Sequence, residues 1–143
     1  MNNPNVSKFI DLIYSWWDVF RIEVLNIFSF FYVKVYFAIF LFVNGLNWFY
    51  ASYIYSNILP ETRDLIALHY NVEFGVNLIG AAKNIYILPT LGLLIAILNF
   101  SLLLTVHKSR NSKFLGNFFL LPVIIVNIYL FIGLVSIYLS NFK

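Results

Sequence analysis

Cysteine is absent from all 143 residues. That excludes disulfides, thiolate catalysis, zinc–thiolate sites and iron–sulfur clusters. Charge is almost as scarce. Asp, Glu, Lys and Arg make up 10% of the chain, against ~25% in an ordinary soluble domain. A water-soluble fold of this length has too little interior to hide residues that are 62% hydrophobic.

The known catalytic fingerprints are missing too. There is no G-x-S-x-G, no P-loop, no H-E-x-x-H and no dinucleotide-binding glycine pattern. No pair of acids falls inside an apolar run, so the expectation is no enzyme, no catalytic residue, no resident metal and no cofactor. The nine basic and six acidic residues leave a charge of +3. The basic residues are scattered and form no basic face, which leaves nucleic acid out as a partner. The first residues do not read as a signal peptide, because Asp11, Asp18, Arg21 and Glu23 interrupt what would be its apolar centre. Asn, Ile, Phe, Tyr and Lys are abundant, as AT-rich coding produces, so the 20% aromatic content carries little functional weight.

What the chain does have is three runs without a single Asp, Glu, Lys or Arg: 35–60, 85–106 and 114–142. Each exceeds the ~20 apolar residues that a helix needs to cross ~30 Å of hydrocarbon. The runs are continuously apolar, not alternating, and only helices or closed barrels satisfy their backbone inside lipid. The expected fold is therefore an all-α integral membrane protein, a single domain covering 1–143. Its segments are an N-terminal amphipathic helix at 7–33, spans at 35–59, 85–106 and 114–142, an external loop of irregular or short extended structure at 60–84 and a basic cytoplasmic turn at 107–113.

Within 7–33, Lys8, Asp11, Ser15, Asp18, Asn26 and Ser29 recur at helical spacing and form one polar stripe. Ser7 is the candidate N-cap, and Asp18 and Arg21, three apart, are placed to pair. Five charges in one segment argue for a helix lying in the membrane interface, anchored by Trp16, Trp17 and Phe20. Packing against a partner protein and a fourth, poorly apolar span are the alternatives. Lys8, Arg21, Lys34, Lys108, Arg110 and Lys113 fall on one side of a three-span topology, and Arg63, Lys83 and Lys143 on the other. The excess puts the N-terminus in the cytoplasm and 60–84 outside a cell membrane.

Two groups of residues are candidates for sites. Asparagines lie near the middle of every span: Asn44 and Asn47, then Asn99, then Asn127. An amide in hydrocarbon seeks a partner, so these are expected to join helices, within one chain or between copies. A polar track for a solute is the other reading, but transport routes usually contain ionisable groups. Gly92 with Ala96, and Ser136 with Ser140, are small pairs that permit close helix approach. In the loop, His69, Asn71 and Glu73 alternate and would share one face of a strand. Two ligands without a third make no metal site. His107, beside the basic turn, is expected among lipid headgroups.

The loop and its flanks follow a pattern: Leu59–Pro60, then His69-x-Asn71, Gly75, Lys83 and Pro89. It resembles a bacterial membrane domain found in the immunity protein of the sporulation-delay toxin and in many small membrane proteins. That family typically reads Leu-Pro, Pro-x-His-x-Asn, then Gly and Asp between two spans. Here Ala67 stands at the proline and Asn77 at the aspartate, and the resemblance covers less than a third of the chain. It implies bacterial origin and a loop between two spans in which His69, Asn71 and Gly75 are the shared positions. Three functional expectations follow. The first is a structural or interaction-type protein whose partners are the bilayer and a membrane protein or further copies of itself. The second is a sensor or immunity-type protein binding a peptide through the His69 loop. The third is a subunit of an oligomeric channel or transporter.

Overall fold

The computed structural model describes residues 4–59, 65–71, 75–109 and 111–142. Helix α1 runs Pro4–Ser29 and α2 runs Phe31–Asn57. Strands β1, Ile66–Asn71, and β2, Gly75–Gly80, follow. A 3-10 turn at Ala82–Tyr86 leads into α3, Ile87–Val106, and a short connection leads to α4, Ser112–Phe142. Three helices are long and apolar enough to cross a membrane: Phe31–Asn57, Ala82–Val106 with its 3-10 entrance, and Ser112–Phe142. They coincide with the three charge-free runs to within a few residues. Pro60 lies outside the described residues.

The expected helix at 7–33 is shorter at one end and longer at the other. It starts at Pro4, a residue suited to a first turn because the missing N–H has no partner there anyway. It ends at Ser29, where Phe30 turns extended (φ −75°, ψ 124°). The break has a packing reason. Ile27 before it and Val33 after it are both buried, together with Leu103 and Leu120, and a straight helix could not turn both toward one cluster. Asp18 and Arg21 make no ion pair; among the described residues the ion pairs are those of Glu23 with His107 and Lys108.

α4 packs along both α2 and α3, whereas α2 and α3 meet less closely. Pro122 sits inside α4. The three-helix core has two apolar clusters. One, at the α1 end, is built on Ile27, Val33, Leu103 and Leu120. The other contains Ala51, Ile54, Ile85, Leu134 and Ile137, with Ile66 from β1. Inside a bilayer such burial gains little from the hydrophobic effect, since lipid tails are as apolar as Leu. Van der Waals fit and interhelical hydrogen bonds hold the helices instead.

β1 and β2 form an antiparallel pair with two irregularities. Ala67 faces Ile79 and His69 faces Leu78, so Leu68 is extra; Tyr70 then faces Val76, so Asn77 is extra on the other strand. The bulges cancel and the ends return to register, with Asn71 opposite Gly75. The hairpin end of the bundle is ringed by aromatics, including Trp48 stacked on Tyr86 at 5.8 Å and Tyr138 stacked on Phe142 at 4.9 Å. Rings with one wet and one apolar side belong at such a boundary.

Candidate functional site

Asn44 and Asn47 are three apart on α2 and therefore share a face. Both turn inward: Asn44 is 6% exposed and Asn47 0%. Opposite them on α4 stands Asn127, also 0% exposed. Asn44 Nδ2 donates to Asn127 Oδ1 at 2.9 Å and to the Pro89 carbonyl of α3 at 3.1 Å. Asn47 Nδ2 donates to the Asn127 carbonyl at 3.1 Å and reaches Asn127 Oδ1 at 3.4 Å. Asn127 Nδ2 donates to Val123 O at 2.8 Å and reaches Gly92 O of α3 at 3.5 Å. One polar layer thus ties all three candidate spans together, between the two apolar clusters.

Gly92 makes the layer possible. A Cβ there would lie 2.3 Å from Asn127 Oδ1 and 2.9 Å from Asn44 Nδ2. Any side chain would displace the amides from each other. Asn47 Oδ1 is buried and has no hydrogen-bond partner, so the layer is short of one donor. The cluster is uncharged throughout and can hold helices in register; it has no group that could carry a proton or neutralise an ion.

Asn99 is not part of it. Its Nδ2 donates to Ile95 O of its own helix at 2.9 Å. The reason is depth. Asn99 follows Gly92 by two helical turns, which keeps it on nearly the same face but moves it roughly 10 Å along the axis. Ser136 and Ser140 likewise bond within their helix, Ser140 Oγ to Ser136 O at 2.8 Å.

Two further polar junctions were not anticipated from the sequence. On the α1 side, Glu23 Oε2 lies 2.7 Å from His107 Nε2, and Lys108 Nζ donates to Glu23 Oε1. His107 Nδ1 lies 2.9 Å from Leu104 O. Both ring nitrogens face acceptors, an arrangement that the imidazolium satisfies with two N–H groups. His107 is thus mostly buried in an ion pair and not free among headgroups. Glu23 precedes the buried Ile27 by one turn, so it sits on the docked side of α1, and that spacing was the available clue. The Lys108 hydrogen bond, with the charges of Lys108 and His107, holds the Glu23 carboxyl below its ordinary value of 4.5 against the opposing effect of burial. A lowered carboxylate supports docking above the ordinary value and loses that support as pH falls through the lower, docked value. Spin labels at Ser15→Cys and Asn111→Cys should therefore report one narrow distance from pH 7 to 5 and a distribution that broadens progressively as pH falls below 4.5 and through the lowered value. Glu23→Gln should give the broad distribution at every pH.

On the opposite side, Asn141 in the last turn of α4 holds β1. Its Nδ2 donates to the Ala67 carbonyl at 2.7 Å, and its Oδ1 accepts from the Ala67 N–H at 2.9 Å. The side-chain amide acts as one more peptide unit on the outer edge of β1. Asn141→Leu should free the hairpin, at a cost of about 2 kcal/mol for two hydrogen bonds. Hydrogen exchange at Ala67 should then accelerate at least tenfold while the spans keep their protection.

The loop candidates are placed only in part. His69 and Asn71 lie on β1, Gly75 opens β2 opposite Asn71, and Glu73 falls outside the described residues. The bulges on either side of His69 interrupt the strict alternation on which a shared face was expected. Among the described residues no group of three His, Cys, Asp or Glu could hold a metal. No family model, no curated protein and no solved structure matches this chain.

Proposed function

We propose that this is an interaction-type protein of the cell membrane, crossing it three times with its N-terminus in the cytoplasm and presenting the hairpin outside. The observation that carries the reading is the Asn141–Ala67 clamp. A loop that only joined two spans would need no fixed attachment, whereas this one is held at a defined position on the end of α4. The runs 35–60, 85–106 and 114–142 contain amides and no Asp, Glu, Lys, Arg or His, which favours a scaffold over a conductor. Lysine and arginine counts support the orientation. α1 lies in the headgroup layer on this reading: residues 10–22 are all exposed, and Leu12, Ile13, Trp16, Trp17 and Phe20 form one apolar face.

Two measurements test it. Single cysteines need no background correction in this chain. Asn77→Cys should react with an impermeant maleimide in intact cells and Ser109→Cys should not; the opposite pattern overturns the orientation. Replacing 65–80 by a Gly/Ser linker should leave the asparagine layer intact. The same replacement should reduce the particle in mild detergent to the mass of a lone chain, and an unchanged mass overturns the interaction reading.

A second reading rests on the outer edge of β2, which no strand among the described residues covers. Asn141 occupies the outer edge of β1 at Ala67, and the sheet has two strands. A peptide that added a strand alongside β2 would draw affinity from backbone hydrogen bonds and specificity from side chains of the hairpin, His69 among them on this reading. Such an immunity-type protein would protect its cells from a secreted peptide. His69→Ala would remove the protection, and equal sensitivity with and without the protein across a peptide panel would eliminate this reading.

A further inference from the structure

We propose that the α1-side leaflet contributes one anionic phospholipid as a fixed component of this protein, its acyl chain lying in the groove between α2 and α3. The groove has a volume of ≈ 310 Å³, at the lower end of the range for ligand sites, ~300–1,000 Å³. It exists because α4 packs closely against both neighbours while α2 and α3 meet less closely. Phe37 and Phe40 of α2 form one wall, Leu93, Ala96 and Leu104 of α3 the other, and Phe20 of α1 crosses its shallow end. Leu93 and the neighbouring Ile97 are exposed on the lipid side, so the groove opens to hydrocarbon and not to water.

Three features specify the occupant. The lining is almost wholly apolar; its hydroxyl residues are Tyr36 and Ser101, and Ser101 is committed to Ile97 O at 2.8 Å. The length fits, because Leu93 to Leu104 is eleven residues, about 16 Å of helix, against ~15 Å for half of a 30 Å hydrocarbon core. The groove therefore spans one leaflet, from the asparagine layer to the headgroups, which matches a single acyl chain. The charge at its mouth then selects the headgroup. Arg21 adjoins Phe20, and Lys34 precedes Phe37 by three residues on the same face of α2. Both are exposed, and neither makes an ion pair. The acids of α1 are Asp11, Asp18 and Glu23; Glu23 is taken by His107 and Lys108, and Lys8 offsets Asp11. The uncommitted charge is positive, which suits a phosphate without a compensating amine. The inference rests on insertion of the bundle and holds whatever the hairpin binds.

Native mass spectrometry of the full chain released from nanodiscs of equimolar phosphatidylglycerol and phosphatidylcholine tests it. One retained lipid per chain is expected, phosphatidylglycerol over phosphatidylcholine by at least fivefold. Ala96→Phe, which fills the middle of the groove, should abolish retention, and Ser101→Phe at the shallow end serves if the first variant fails to fold. Arg21→Gln with Lys34→Gln should keep the retained lipid and lose the preference. Absence of a retained lipid, equal retention of the two, or retention unchanged in a folded groove-filling variant would each overturn the proposal; the last would mean ordinary annular lipid bound elsewhere.

Discussion

Leucine in place of Asn127 should destabilise the bundle in detergent by about 2 kcal/mol, whereas leucine in place of Asn99 should cost close to nothing. The two residues have the same chemistry and similar mid-span positions, so the contrast isolates geometry. Asn127 accepts from Asn44 and Asn47 and donates to α3 and α4. Its loss takes Oδ1 from both amides, leaving Asn44 with the Pro89 carbonyl and Asn47 with the backbone carbonyl of residue 127; an unpaired buried N–H costs about 1–3 kcal/mol in a protein interior. Measured membrane hydrogen bonds average only ~0.6 kcal/mol, which brings the sum to the lower end. Asn99 bonds only within its own helix, and leucine there removes a polar group from lipid at no structural loss. Combining Asn44→Leu with Asn127→Leu should cost less than the two single changes added, because they share one interaction. Thermal unfolding followed by circular dichroism reads all four proteins. Equal effects at 99 and 127 would mean that the layer contributes nothing particular.

Alanine in place of Gly92 should be among the most damaging methyl groups that could be added to this protein. The new Cβ would occupy space 2.3 Å from Asn127 Oδ1, and α4 would have to move away or the amide rotate. Overpacking of a tight site costs about 1–3 kcal/mol, and loss of the Asn44–Asn127 bond adds to it. The test lies in the background. With Asn127→Ala already present, the obstructing oxygen is gone, and Gly92→Ala should then change stability little. A Gly92→Ala cost that is the same in both backgrounds would show that glycine is needed there for some reason other than the amide layer. Gly116 provides a comparison in the same bundle, since a Cβ there would lie 2.5 Å from the Tyr32 hydroxyl, the movable end of a long side chain.

The spans were plain in the sequence because a charge-free run of over twenty residues has few other uses. Which side of each span faces inward was not. In water, polar residues mark the outside of a helix. In lipid both sides are apolar, so α3, apolar all round, carries no stripe to read. That is why Asn99 grouped with Asn44, Asn47 and Asn127 on position alone. Gly92 was noticed as a small residue, but nothing in one chain says that an amide fills the space it leaves. The Glu23–His107 and Asn141–Ala67 pairs join residues 84 and 74 positions apart, and local spacing cannot reach that far. The strands escaped firm assignment because the bulges at Leu68 and Asn77 break the alternation that identifies a strand.

The amide layer also sets an order of events during synthesis. Asn44 and Asn127 are 83 residues apart. At ~5–20 residues per second of translation, the last span emerges roughly 4–16 s after the first. Throughout that interval Asn44 and Asn47 sit in the bilayer or at the insertion machinery without Asn127. α3 arrives earlier but brings only the Pro89 carbonyl, which can occupy one donor of Asn44. The chain is therefore incomplete until α4 is in place, and its final layer closes in one step. A ribosome that stalls before residue 127 leaves both amides in the membrane without the Asn127 acceptor, the kind of polar exposure by which membrane quality control can distinguish a truncated product from a finished one.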